Sequence, residues 1–287
     1  MKKITAAALC GAVMALLCAC SPAATEPAAT KTKSVTPTPD AASATAPTVT
    51  ATASADTETG GSLESCEALS SLKTDLDGDG TKERVEFIKK AEGVTVRVSR
   101  GETAWEYALP REAENAVSQY VLKKGKRSCV LFCYDLASDD YQTAVISLGK
   151  ELEVNILDGI AESFDNGVLN LNLTVNVAGT WLGTASYAPD NDMHFERAGK
   201  LYGINANREL TVKKTLSALD ADGGKFTLDA GTKLRLISSD LESVLYFSIE
   251  SRDSVCSFTI APQDDSGEFL IDGVPEREAF DGLEYYD

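Results

Sequence analysis

The chain has 287 residues, 43% of them hydrophobic, with a formal net charge of −17 and a single histidine. That charge repels phosphate backbones, and no basic, aromatic-studded stretch offsets it, so nucleic acid is excluded as a partner. There is no Gly-rich phosphate loop and no dinucleotide fingerprint, and the surroundings of His194 carry no nucleophile motif for a catalytic triad.

At the N-terminus, Lys2 and Lys3 precede an apolar run over 4–19. The run is short for a bilayer span and reads as a signal-peptide core. It ends in Leu17-Cys18-Ala19-Cys20, which resembles the lipobox of bacterial lipoproteins: an aliphatic residue, a small residue before the cleavage point, then cysteine. The resemblance implies removal of the leader 1–19, diacylglyceryl attachment to the Cys20 thiol, and an extracytoplasmic protein held to a membrane through lipid. Each buried lipid methylene stabilises such an anchor by about 0.8 kcal/mol.

Residues 20–61 are Ala, Thr, Ser and Pro with scattered charge. Such a segment buries too little apolar surface to offset its ordering entropy and is expected to be a disordered tether. As a coil of about forty residues it reaches roughly 35 Å.

From residue 62 the texture changes to short alternating runs separated by Gly, Asn and Asp, which predicts a β-rich domain over 62–202. Strands are expected at 84–89, 94–100, 103–109, 128–134, 142–148, 151–157, 168–177 and 194–197. The cleanest alternation sets Leu169, Leu171, Leu173, Val175 and Val177 against Asn170, Asn172, Thr174 and Asn176. One helix is expected over 110–121, with Pro110 in its first turn and Ala113, Ala116, Val117 and Tyr120 on one face.

Six short strands are expected in 203–287, at 208–213, 225–228, 233–238, 245–250, 257–260 and 268–271. The pieces 226–236, with a Gly231-Thr232 turn, and 244–250 resemble bacterial Src-homology-3-like modules. That resemblance implies a small closed β-barrel in the last third of the chain.

The motif with chemistry is Asp75-Leu76-Asp77-Gly78-Asp79-Gly80-Thr81-Lys82-Glu83. Calcium takes six to eight oxygens at about 2.4 Å. Alternate residues of a tight loop point inward, so Asp75, Asp77 and Asp79 can converge, with the Thr81 carbonyl as a fourth ligand. The string also satisfies the EF-hand pattern, with Glu86 at the twelfth position. Lys82, however, stands where an EF-hand loop has an aliphatic residue, and 84–89 reads as a strand. The loop is therefore more similar to the calcium loops of FG-GAP and related extracellular repeats, where Glu83 is the better fifth ligand and Glu86 the second choice. The competing reading is a solvated acidic turn.

Asp135, Asp139 and Asp140 form another acidic knot, read first as a polar hairpin turn and second as a cation site or a carboxylate pair for glycoside hydrolysis. The segment 220–224 reads as a turn. Trp105 and Trp181 could line a sugar or peptide site, although core packing is the commoner role. Cys129 and Cys133 fall on one face of an expected strand about 13 Å apart, too far to bridge. They read as small buried hydrophobes, and the spacing of Cys66 and Cys256 identifies no pair.

These features point to a mostly β, membrane-anchored lipoprotein. Its leading expected role is as a non-catalytic calcium-binding adhesion or binding module that meets a cell-envelope, glycan or protein ligand. The alternatives are a carboxylate-based cell-wall or polysaccharide hydrolase and a purely structural envelope lipoprotein.

Overall fold

The computed structural model describes residues 61–137, 140–263 and 268–285. The leader, Cys20, the tether up to residue 60, and Asp139 lie outside the described residues. What is described is mostly antiparallel β-structure. The chain first forms β1 (Gly61–Cys66), β2 (Leu72–Thr74), β3 (Glu83–Lys90), β4 (Gly93–Arg100) and β5 (Thr103–Ala108). A short 3-10 turn, Arg111–Glu114, leads into β6 (Ala116–Lys124), β7 (Arg127–Ala137), β8 (Asp140–Leu148) and β9 (Leu152–Asp158). Next come β10 (Ile160–Asp165), β11 (Val168–Asn176), β12 (Thr180–Pro189) and β13 (Phe195–Arg197).

Three layers are built from these strands. A five-stranded sheet, in the order β1-β6-β7-β8-β9, lies between the four-stranded sheet β2-β3-β4-β5 and the β10-β11-β12 end of a third sheet. The alternation of β7 shows why. Val130, Phe132 and Tyr134 pack with Val85, Val94, Val96 and Val98 of the first sheet. Cys129, Leu131 and Cys133 point the other way, onto Leu169, Leu171 and Ala185. A strand covered on both faces has no polar side to show, which is why Cys129–Tyr134 is an unbroken apolar run rather than an alternating one. Phe87 stacks on Phe132 across one interface with ring centroids 4.5 Å apart. Each fully buried large side chain in these layers contributes about 1.5–3 kcal/mol.

The expected helix over 110–121 does not form. Its beginning is the 3-10 turn, closed by the Asn115 N–H donating to the Glu112 carbonyl, and its remainder is β6. β6 is bonded to β1 on one edge and β7 on the other, and buries Val121 and Leu122. Those two ladders outweigh a helical spacing that rested on small residues. Val117, assigned to the apolar face of that helix, is left exposed.

The last third comprises β14 (Tyr202–Ile204), β15 (Leu210–Val212), β16 (Leu216–Leu219), β17 (Lys225–Leu228) and β18 (Lys233–Ser239). After these come β19 (Val244–Ile249), β20 (Arg252–Gln263), β21 (Glu268–Ile271), β22 (Val274–Pro275), the one-turn helix Glu276–Ala279 and β23 (Phe280–Asp281). Their core centres on Phe247 and Phe258, stacked with centroids 4.3 Å apart, and on Phe280. β12 bonds to β14, and β14 to β18, so the sheet runs without interruption past residue 203. The expected small barrel is not closed among the described residues. The path β14-β18-β19-β20-β16-β17 ends at β17, which is bonded only to β16.

Candidate functional site

The loop between β2 and β3 holds the acidic motif. Two glycines make its turns: Gly78 and Gly80 have φ of 78° and 90°, a region costly for residues with a Cβ. Asp75 caps both turns, its Oδ1 accepting from the Gly78 N–H at 2.7 Å and its Oδ2 from the Gly80 N–H at 2.9 Å. The Asp77 and Asp79 carboxylates accept from the N–H two residues on, at 3.1 and 2.7 Å. The loop is tied to the central sheet where the Ser128 N–H donates to the Asp75 carbonyl.

β3 then delivers Glu83 into the loop from beneath. Glu83 is fully buried, and its Oε2 accepts from the Leu76 N–H at 2.8 Å. One oxygen each from Asp75, Asp77 and Glu83 lie within 4.8 Å of one another, close enough to share one cation. Burial pushes the Glu83 carboxyl above its ordinary value, and the neighbouring Asp77 charge acts in the same direction. The site therefore raises the energy of its own deep carboxylate, a situation that a cation relieves.

Positive charge already reaches the site from β4. Arg100 Nη1 donates to Asp77 Oδ2 at 2.6 Å and to Asp79 Oδ2 at 2.8 Å, and lies 3.4 Å from Glu83 Oε1. The hydrogen bond to Asp77 holds the guanidinium above its ordinary value. Sequence reasoning missed Arg100. It was read as the end of a strand, and nothing in its neighbours connects it to a loop some twenty residues earlier.

Of the expected ligands, the fold gathers Asp75, Asp77 and Glu83. Asp79 stands at the exposed rim, where the Thr81 N–H holds its carboxyl below the ordinary range. Thr81 is exposed and takes part through that N–H. Glu86 is not brought in: β3 alternation turns it away from Glu83, to pair with Arg84 at 2.9 Å.

The other candidates have separate places. Asp135 and Asp140 sit where β7 and β8 face each other at their ends. Asp220 accepts from the Asp222 and Gly224 N–H groups, as an ordinary turn does. His194 precedes β13 and is held between Asp190 Oδ2, at 3.1 Å, and Glu153 Oε2, at 2.6 Å. Trp181 is a core residue whose Nε1–H donates to the Val177 and Ala178 carbonyls. Cys66, Cys129, Cys133 and Cys256 are free thiols, the last three buried.

A second feature was not anticipated. A groove of about 680 Å³ opens beside the β11–β12 hairpin, bounded by the start of β8 and by residues 205–208. Among the described residues no helix is long and apolar enough to cross a membrane. No family model matches the chain, and comparison with curated proteins and with solved structures finds no match.

Proposed function

We propose that this protein is a lipid-anchored extracytoplasmic binding protein whose acidic loop takes calcium. The observation that carries the reading is the convergence of Asp75, Asp77 and the buried Glu83 on a loop fixed between two strands. All the donors are hard oxygens, as calcium and magnesium require, and thiolate or imidazole is absent from this set. In the loaded state Arg100 withdraws from Asp77, and the ion supplies the charge in its place. Asp79 and the Thr81 carbonyl at the rim complete the shell.

The anchor rests on the Leu17-Cys18-Ala19-Cys20 resemblance. A contact role for the last third, toward cell envelope or protein, rests on the sequence likeness of 226–236 and 244–250 alone, since the barrel that it implied is not closed among the described residues. A hydrolase is the second reading. The groove carries Asp140, and a glycosidase would need a second carboxylate placed roughly 5–9 Å from it.

Calcium titration of the full chain by calorimetry tests the central claim, beside an Asp77→Ala, Asp79→Ala double variant. Saturable binding that raises Tm and disappears in the variant is expected. Absence of heat at millimolar calcium would remove the metal from the proposal. The anchor is tested separately: Cys20→Ser should move the protein from the membrane fraction to the soluble fraction.

A further inference from the structure

The groove beside β11 and β12 is a different site from the acidic loop, and its lining has an unusual chemistry for a chain of net charge −17. Its hydrogen-bonding groups are mostly neutral: Asn172, Thr174 and Asn176 from β11, and Asn205 and Asn207 from the segment after β14. Asparagine is depleted in strands, because its short amide competes for the backbone and packs poorly on a pleated surface. Yet β11 places Asn170, Asn172 and Asn176 on one face, the face turned away from its buried leucines. Asn170 is bonded on both sides, to the hydroxyls of Ser163 and Ser186, whereas Asn172 and Asn176 line the groove.

The amides are held in place rather than loose. The Thr180 hydroxyl donates to Asn176 Oδ1 at 2.8 Å, and the Thr184 hydroxyl approaches Asn172 Oδ1 at 3.5 Å. Those contacts engage the Oδ1 acceptors of Asn172 and Asn176, both of which line the groove. Between them stands Leu182, 57% exposed and cross-strand from Thr174. The cation at the edge is already engaged: Arg208 stacks over Trp181 at 3.9 Å, donates to the Thr180 carbonyl and pairs with Glu284. The site thus offers amides, the hydroxyls of Thr174, Thr180 and Tyr141, and apolar surface from Ile160 and Leu182. The one carboxylate in its lining, the exposed Asp140, and the lack of a spare positive charge both disfavour a phosphate or carboxylate ligand.

We infer that this groove binds a neutral oligosaccharide, with sugar hydroxyls on the Asn172 and Asn176 amides and an apolar sugar face on Leu182. A concavity of this size accommodates a few sugar rings. The inference rests on the reading of the protein as a binding module, and it is independent of calcium because no residue of the acidic loop lines the groove.

The test is titration of the full chain with neutral tetrasaccharides of glucose and of N-acetylglucosamine, followed by calorimetry and by tryptophan fluorescence, to which Trp181 at the groove and Trp105 outside it both contribute. An oligogalacturonate serves as the acidic counterpart, and each titration is run in calcium and in EDTA. Binding of a neutral tetrasaccharide with Kd near or below about 1 mM is expected, in EDTA as in calcium. It should weaken by about tenfold in Asn172→Ala and in Asn176→Ala, and in Leu182→Ala. These three positions are at the surface, and an unchanged Tm confirms that each variant is folded. No binding of either neutral probe at about 10 mM would overturn the inference. So would binding unaffected by all three substitutions, or a preference for the acidic oligosaccharide.

Discussion

Among the acidic turns of the described residues, three use the same backbone device as Asp220 and differ in what answers their charge. In 240–244, Asp240 accepts from the Glu242, Ser243 and Val244 N–H groups and from the Ser243 hydroxyl, and no cation takes part. In 190–194, Asp190 accepts from the Asp192 and His194 N–H groups and also faces the His194 imidazole. In 75–80 the caps are similar, but a second strand brings a buried carboxylate and a third brings Arg100. Carboxylates in a turn are therefore first of all caps for N–H groups. They become a candidate metal site where another element adds a buried acid beside them, as β3 adds Glu83 here.

That distinction can be broken most severely at Glu83. Glu83→Ala leaves the buried Leu76 N–H without an acceptor and Arg100 with one carboxylate fewer, so urea unfolding should show a loss of about 3 kcal/mol. A loss below about 1 kcal/mol would mean that Glu83 is dispensable to the loop. Calcium affinity should also fall as pH drops through the raised pKa of Glu83, because the ion needs the deprotonated form.

Arg100→Gln comes next. Removing the internal cation should strengthen calcium binding by on the order of tenfold, while lowering the metal-free Tm. Weaker binding would show that Arg100 organises the loop for the ion instead of competing with it.

Asp240 isolates the cap alone. Burial acts to raise its pKa, but hydrogen bonds from the Ser243 hydroxyl and three N–H groups prevail and bring it to about 2. A lowered folded pKa gives stability that is present above the unfolded value, near 3.8, and is lost as pH falls through about 2. Asp240→Ala should cost about 1 kcal/mol at neutral pH and nothing below pH 2, with no effect on calcium binding.

The smallest effect belongs to His194, whose pKa is raised by its hydrogen bonds to Asp190 and then to Glu153. Here the sign is opposite: the contribution is complete below 6.5 and is lost as pH rises through the folded value. In an exposed group this amounts to a few tenths of a kcal/mol. Unfolding of wild type and His194→Gln between about pH 5.5 and pH 8.5 should converge at the upper end, and parallel curves would deny the linkage.

Much of the β character was legible because inward and outward positions alternate so plainly in β4 and β11. The strand over 128–134 was also readable, although only the structure explains its lack of alternation: it is covered from both sides. β6 was misread because Ala113, Ala116 and Tyr120 fit a helical stripe, while the partners that make it a strand come from β1 and β7. β12 was missed because Gly183 and its small neighbours blur the period. The structure shows why glycine is there, since a Cβ at 183 would come within 2.3 Å of Val175 Cγ2. The acid loop was legible as a motif, and the FG-GAP resemblance favoured Glu83, the acid that strand parity turns toward Asp75 and Asp77 while Glu86 faces the other way. Arg100 and the groove were not, since both depend on residues that only the folded sheets bring together.

The double covering of β7 also sets how the molecule opens. Its amides are bonded to strands on both edges, and both faces are packed, so solvent reaches them only when a whole layer lifts. Among the described residues, outer strands such as β1 and β5 have one unpaired edge each. In a hydrogen-exchange experiment deuterium would enter these borders first and β7 last. The acidic loop follows β2, which among the described residues is bonded only to β3. Its exposed rim from Asp79 to Thr81 should exchange early, and the buried Leu76 N–H, held by Glu83, late. The calcium proposed for this loop should therefore exchange through that rim while the three-layer core stays shut.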